Sequence, residues 1–287
     1  MRIKKYKSNQ YILSQDGTWV RDPFKNSSPL DINPFSKKDF SLVFNNEHTN
    51  KKQKYPIFEK NLGTFKDVVI VSDGYDFENK QKILSEISND VCILAVNGAL
   101  KYWKLVGESC PQSLRRRINY YIMSNPYEES VLNLPEQHRY YPNCLTSMRT
   151  NPKFLQAYRG NKITFNPVKN ENFSCKIDNL GSTVDDYRNV ICASISLACH
   201  LKVRKLMLFC CDDSFDKERP SAIELQNGLW TYEQQIKSNQ IIDALLYWLK
   251  KAGVEVSNYS SGSKLNNATY IKTEEEVKEF FEEQNAN

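Results

Sequence analysis

From Val68 onward the chain alternates short runs that are apolar at nearly every position with longer stretches that are apolar on one side only. Three such runs come early: VVIVS from Val68 to Ser72, VCILAV from Val91 to Val96, and INYYIMS from Ile118 to Ser124. Each has the length of a buried strand. Between them, NKQKILSEI and GALKYWKLV predict amphipathic helices. NPKFLQAY then predicts a helix and KITFNPV a strand. The longest helix is expected from Ser182 or Thr183 to about Lys202, because Tyr187, Val190, Ile191, Ser194, Ile195, Ala198 and Leu201 recur at three- and four-residue steps. The strand KLMLFCC follows, then a helix TYEQQIKSNQIIDALLYWLKKAG ending at Gly253, the strand VEVSNYS and a last helix TEEEVKEFFEEQ. Strands apolar on both faces and separated by helices belong to a parallel sheet covered on both sides. The expected fold class is therefore α/β, a doubly wound, mostly parallel, Rossmann-like sheet in residues 67–287, with no internal repeat.

Residues 1–66 have a different pattern. Lys, Asn, Ser and Pro dominate, and NPFSKKDF and NNEHTNKKQK read as loop. The expectation is an irregular basic N-terminal extension that packs partly on the main domain through Trp19 and Phe44.

Composition narrows the function. A chain of 287 residues can bury a substantial core in one large domain or two small ones. Its 39 basic and 34 acidic residues give a net charge of +5, which suits an anionic small molecule such as a nucleotide and implies no specific nucleic-acid binding. No apolar run approaches the roughly 18 residues of a membrane span, and MRIKKYKSNQYIL lacks a signal-peptide core. A cytoplasmic protein is expected, and a homo-oligomer is compatible with the sequence. Most of the eight cysteines, among them Cys92, Cys192, Cys199, Cys210 and Cys211, sit in apolar runs and none forms a C-x-x-C pair, so free thiols are expected. His48, His138 and His200 stand alone, which speaks against structural zinc.

Ligands of open parallel sheets bind beyond the carboxyl ends of the strands. Those ends carry Ser72-Asp73-Gly74, Asn97-Gly98, Ser124-Asn125-Pro126, Asp212-Asp213-Ser214 and Ser260-Ser261-Gly262-Ser263. Turn chemistry alone explains any one of them; five polar ends on one rim describe a pocket. The candidate cofactor-binding residues are Ser72, Asp73, Gly74, Asn97, Gly98, Asn125, Ser261 and Gly262. Asp73-Gly74 is the place for close backbone approach to a phosphate. Asp212 and Asp213 are the candidate metal ligands, holding Mg²⁺ against a diphosphate, since hard cations take oxygen ligands. Neither G-x-G-x-x-G nor a P-loop occurs. At NLGSTVDD, Asp185 and Asp186 fit capping acids of the long helix better than an anion site.

In order along the chain, VVIVSDGYDF, AVNGALKYW, INYYIMSNP, NVICASISLACHLKVRKLMLFCCDDSF and GVEVSNYSSGSKL resemble the 6-hydroxymethylpterin diphosphokinase (MptE-like) family and its relatives, the motility accessory factor proteins and bacterial sialyltransferases. The resemblance covers about residues 65–271. It departs at the first turn, where only Gly74 of a G-x-G-P-S-L pattern remains and Ser72 replaces a glycine. Lys202 and Cys210 also stand where small glycines are common. The histidine that sialyltransferase-like members use is absent from WTYEQQIKSNQ, where Tyr232 or Glu233 is the substitute. The resemblance implies a nucleotide-dependent transferase acting on a small-molecule acceptor. One version transfers pyrophosphoryl from ATP with Mg²⁺ to a hydroxymethyl group, with Asp212, Asp213 and Tyr232 as catalytic residues. Another is a glycosyltransferase using a CMP-sugar or other nucleotide sugar, with Asn97 and Asn125 contacting the donor. A third is a degenerate, non-catalytic binding or structural protein, which the lost glycines favour.

Overall fold

The apolar runs become strands β4 (Asp67–Val71), β5 (Cys92–Val96), β6 (Tyr120–Met123) and β10 (Lys205–Phe209). β7 (Asn143–Ser147), β8 (Lys162–Pro167), β9 (Thr183–Val184), β11 (Glu255–Tyr259) and β12 (Thr269–Tyr270) complete one nine-stranded sheet. Its order is β12-β11-β10-β4-β5-β6-β7-β8-β9, and every pairing is parallel. This is a computed structural model describing residues 3–6, 9–13, 19–21, 37–57, 65–74, 77–106, 110–135, 141–167, 183–184, 189–211, 232–260 and 265–282.

The side-chain period of two sorts the central strands between two cores. Val68, Ile70, Leu94, Leu206 and Leu208 pack with Ile191 and Ile195 of α4 (Val190–His200) and with Ile242 and Leu246 of α5 (Tyr232–Lys251). Val69, Val71, Ile93, Tyr121 and Phe209 pack on the opposite face with Phe77 of α2 (Phe77–Lys80), Phe154 of α3 (Pro152–Ala157), and Val277 and Phe281 of α6 (Glu274–Phe281). Burial on both faces explains why these strands show no polar alternation. The Lys205 ammonium donates to Phe280 O at 2.5 Å and Glu282 O at 3.1 Å, which fastens the C-terminal end of α6 to the lower edge of the sheet.

Several expectations are corrected. Much of NPFSKKDF and NNEHTNKKQK, read as loop, belongs to helix α1 (Lys37–Lys52), and strands β1 (Ile3–Tyr6), β2 (Asn9–Leu13) and β3 (Trp19–Arg21) make an antiparallel three-stranded sheet before it. α1 does not dock through Phe44, which is 69 % exposed. It docks through asparagines. Asn46 Nδ2 donates to Pro126 O and Arg149 O, and Asn50 Nδ2 donates to Met148 O and Thr150 O, while Glu47 pairs with Arg149 at 3.3 Å. A helix held by buried amides carries no apolar stripe for a pattern to find. The side chain of Trp19 lies outside the described residues.

The long helix begins at Val190, not at Ser182 or Thr183, because Thr183–Val184 is strand β9 and Asn189 is the cap, accepting from Ile191 N at 2.7 Å and Cys192 N at 3.4 Å. Asp185 and Asp186 lie outside the described residues. GALKYWKLV is a short 3₁₀ turn, Asn97–Ala99, followed by irregular chain. There Lys104 N donates to Gln81 Oε1, a bond that a continuous helix would have given to its own carbonyl four residues back. Among the described residues no helix is long and apolar enough to cross a membrane. The seven described cysteines are in no disulfide, and six of them are buried.

Candidate functional site

The strand order fixes where to look. From β4 the chain steps outward through β5 to β9, then returns to place β10 on the other side of β4. The exits of β4 and β10 are thus the topological switch point, where crevices open in such sheets. Here the crevice is laced. Ser72 N donates to Phe209 O at 3.1 Å, Gly74 N to Cys210 O at 3.0 Å, and Cys210 N to Tyr259 O at 3.0 Å. Ser260 Oγ accepts from Cys211 N at 3.0 Å. The Gly74 amide, expected to face a phosphate, is already spoken for by Cys210. The helix that follows, α2, has only four residues, too few for a developed N-terminal dipole.

The accessible chemistry lies on the other side of β4, toward β5. Ser72 is buried, and its Oγ is 3.3 Å from Asp73 Oδ1 and 3.5 Å from Asn97 Nδ2. Asn97 has φ +49°, a left-handed conformation that asparagine tolerates better than most residues. Its carbonyl is pinned by the hydroxyl of the fully buried Tyr121 at 2.7 Å. Burial drives that hydroxyl well above the ordinary tyrosine range, so it stays a neutral donor. The Asp73 carboxylate rests directly on Gly98. A Cβ at Gly98 would lie 2.1 Å from Asp73 Oδ2 and 2.8 Å from Asp73 Cγ, so only glycine leaves the carboxylate its seat.

Two effects oppose each other at Asp73. Desolvation leads and raises its pKa, while hydrogen bonds from its own amide, from the Gly98 amide and from Ser72, and the charge of Lys101, lower it. Its carboxyl is closely surrounded, yet the residue as a whole is exposed. The exposure is the better guide to its behaviour, because water at the outer side screens the charge. The outcome is an oriented, acceptor-rich group beside an amide and a hydroxyl. The same loop adds Lys101 and Tyr102, and Tyr102 O is held by the buried Gln81.

Asn125 leaves β6 on the same rim, but its Oδ1 accepts from Tyr127 N at 2.8 Å and its carbonyl from Asn151 N at 3.1 Å, which makes it a turn former. Asp212, Asp213, Ser261 and Gly262 lie outside the described residues. Cys211, the last described residue before the aspartates, sits at the laced rim with its Sγ directed at Ile70 O. Tyr232 opens α5, and its side chain is outside the described residues. Among the described residues no group of three or more His, Cys, Asp or Glu side chains is arranged to hold a metal ion. Sequence reasoning passed over Tyr102 and Gln81. A polar glutamine in an amphipathic run and an aromatic next to a tryptophan carry no local signal of a shared loop.

No family model and no curated protein matches the chain. Among solved structures it is similar to the MAf glycosyltransferase from Magnetospirillum magneticum AMB-1, with a TM-score of 0.60 and 12 % sequence identity, over 89 % of this chain and 44 % of that protein. The two share a fold. The chain spans under half the length of that protein, and at this identity the likeness establishes the Rossmann-like α/β architecture.

Proposed function

We propose that this chain is a glycosyltransferase that binds a nucleotide-sugar donor, a CMP-sugar or a related conjugate, at the β4/β5 rim. The observation that carries the reading is the chemistry of the seat formed by Ser72, Asp73, Asn97 and Gly98. A hydroxyl, a carboxylate and a carboxamide meet sugar hydroxyls in both donor and acceptor roles. They make a poor phosphate cradle, because the carboxylate repels an anion and both glycine amides are already engaged, Gly74 with Cys210 O and Gly98 with the Asp73 carboxylate itself. The fold likeness to a MAf glycosyltransferase points the same way as an analogy.

In the reaction an acceptor hydroxyl attacks the anomeric carbon, the bond from that carbon to the nucleotide phosphate breaks, and the hydroxyl proton passes to a base. The work of the described residues is to orient the donor sugar and exclude water from it. Pyrophosphoryl transfer from ATP is the competing reading. It would place Mg²⁺ on Asp212 and Asp213, and no described residue carries a step through that ion.

The test is thermal stability with CMP, CMP-N-acetylneuraminate, UDP-glucose, GDP-mannose and ATP, each with Mg²⁺ and with EDTA. A ligand at a hundredfold excess over its Kd stabilises by about 2.7 kcal/mol. The expected result is stabilisation by a nucleotide sugar that persists in EDTA and is lost in Asp73→Ala. Stabilisation by ATP alone, dependent on Mg²⁺ and untouched by Asp73→Ala, would replace this reading with the diphosphokinase.

A further inference from the structure

We propose that Tyr102 is the platform on which the donor's sugar ring stacks, with Asp73 taking the hydroxyls at the edge of the same ring; this rests on the glycosyltransferase reading above. Tyr102 is 39 % exposed although it stands between Lys101, which is half-buried, and Trp103, which is 2 % exposed. An aromatic left open in so packed a segment is held there by its backbone. Its amide donates to Gly98 O at 3.2 Å and its carbonyl accepts from Gln81 Nε2 at 3.1 Å. Gln81 is itself 2 % exposed and fully engaged, since Nε2 also reaches Glu78 O at 3.2 Å and Oε1 accepts from Lys104 N at 2.7 Å. Trp103 completes the clamp by donating to Arg116 O at 2.9 Å. The loop after β5 is therefore fixed to the segment after β4, with Tyr102 on its exposed side.

The ring and the carboxylate share one space. The point 2.1 Å from Asp73 Oδ2, where a Gly98 Cβ would stand, is 3.3 Å from Tyr102 Cε2. An aromatic face carries negative charge and attracts the weakly positive C–H groups on a pyranose face. The pyranose edge carries hydroxyl donors, which an ionised carboxylate accepts. One pyranose ring satisfies both surfaces at once. Cytosine and adenine each offer a single exocyclic amine and otherwise acceptors, which Asp73 would repel. Lys101 Nζ stands over the Tyr102 ring, 5.6 Å from its centroid and within reach of a cation–π contact, so the sugar is left the opposite face and the cation stands where a donor phosphate can follow its sugar.

Isothermal titration of wild type, Tyr102→Phe and Tyr102→Ala tests this with the nucleotide sugar among CMP-N-acetylneuraminate, UDP-glucose and GDP-mannose that stabilises wild type, and with its parent nucleotide. Tyr102→Ala should bind the nucleotide sugar about tenfold more weakly, the scale of an aromatic contact with its buried area, and the parent nucleotide within about twofold of wild type. Tyr102→Phe should match wild type for both. Thermal unfolding of the variants confirms that the exposed ring is not needed for folding. Equal losses for sugar conjugate and parent nucleotide would assign the ring to the base and overturn the platform, as would unchanged affinity in Tyr102→Ala. A wild type that binds none of the three conjugates overturns the glycosyltransferase reading, and the platform with it.

Discussion

Gly98→Ala isolates the seat of Asp73. The added methyl would stand 2.1 Å from Asp73 Oδ2 and 2.8 Å from its Cγ, far inside contact distance, while Tyr102 Cε2 at 3.3 Å needs to give only slightly. The carboxylate is the far end of a short side chain on an exposed residue, so it can swing away without moving the backbone. The variant then loses the charge-assisted hydrogen bond from the Gly98 amide to the carboxylate, about 1.5–3 kcal/mol. Against this, alanine restricts the unfolded chain and returns about 0.4–1 kcal/mol. Gly98 has no positive φ that would strain an alanine. Net stability should fall by about 0.5–2.5 kcal/mol, with the fold retained.

Binding should not survive so well. A carboxylate moved by more than an ångström gives up hydrogen bonds to ligand hydroxyls worth about 1.5–3 kcal/mol each, so nucleotide-sugar affinity should fall by roughly tenfold to a hundredfold. The assay is a double-mutant cycle by titration calorimetry on wild type, Gly98→Ala, Asp73→Ala and the double variant. If Asp73 transmits the whole effect, Gly98→Ala does nothing further in the Asp73→Ala background. The coupling then exceeds the about 0.3–0.5 kcal/mol expected between independent sites. Additive losses, or full affinity in Gly98→Ala, would refute the reasoning.

Three further outcomes follow from particular residues. Lys202 follows α4 with φ +58° and is exposed, so Lys202→Gly should relieve a left-handed side chain and raise stability in urea by about 0.5–1 kcal/mol. Lys205→Met should lower stability by about 2–3 kcal/mol, because the carbonyls of Phe280 and Glu282 lose their charged donor, and hydrogen exchange should rise first in α6. Burial pushes the Cys92 thiol from 9.0 to about 12, with Arg116 opposing, so its contribution to stability is fully present below about pH 9 and is lost as pH rises toward 12. Between those values wild type should lose about 1.4 kcal/mol per pH unit more than Cys92→Ala; parallel profiles would show that Cys92 titrates alike in both states.

The sheet was legible because its central strands are apolar on both faces, a pattern that loops rarely imitate. β7 escaped notice because two of its interior positions are polar. Thr146 and Ser147 are fully buried, and Thr146 is satisfied by Thr150 at 2.8 Å, whose own hydroxyl reaches Met123 O. α1 was hidden for the same reason, since asparagines dock it. The rule that ligands meet strand ends found Ser72, Asp73, Asn97 and Gly98. It could not find Tyr102 or Gln81, whose partnership spans 21 residues and depends on how two loops fold over one sheet.

The lost glycines bear differently on function once the backbone is known. Cys210 and Lys202, which stand where the resembling families often carry glycine, both have positive φ, +49° and +58°. Glycine there serves the turn, and this chain keeps the turn with a side chain at a strain of order 1–2 kcal/mol. The lacing of Gly74 N onto Cys210 O depends on that left-handed step and is intact. At the first turn the missing glycine is Ser72, whose hydroxyl lies 3.3 Å from Asp73 Oδ1 and 3.5 Å from Asn97 Nδ2, so the substitution adds a polar group to the site and takes no conformational freedom that the site uses. On the glycosyltransferase reading proposed above, Ser72 and Asp73 present a side-chain hydroxyl and a carboxylate at this rim, groups that would suit a sugar better than a phosphate.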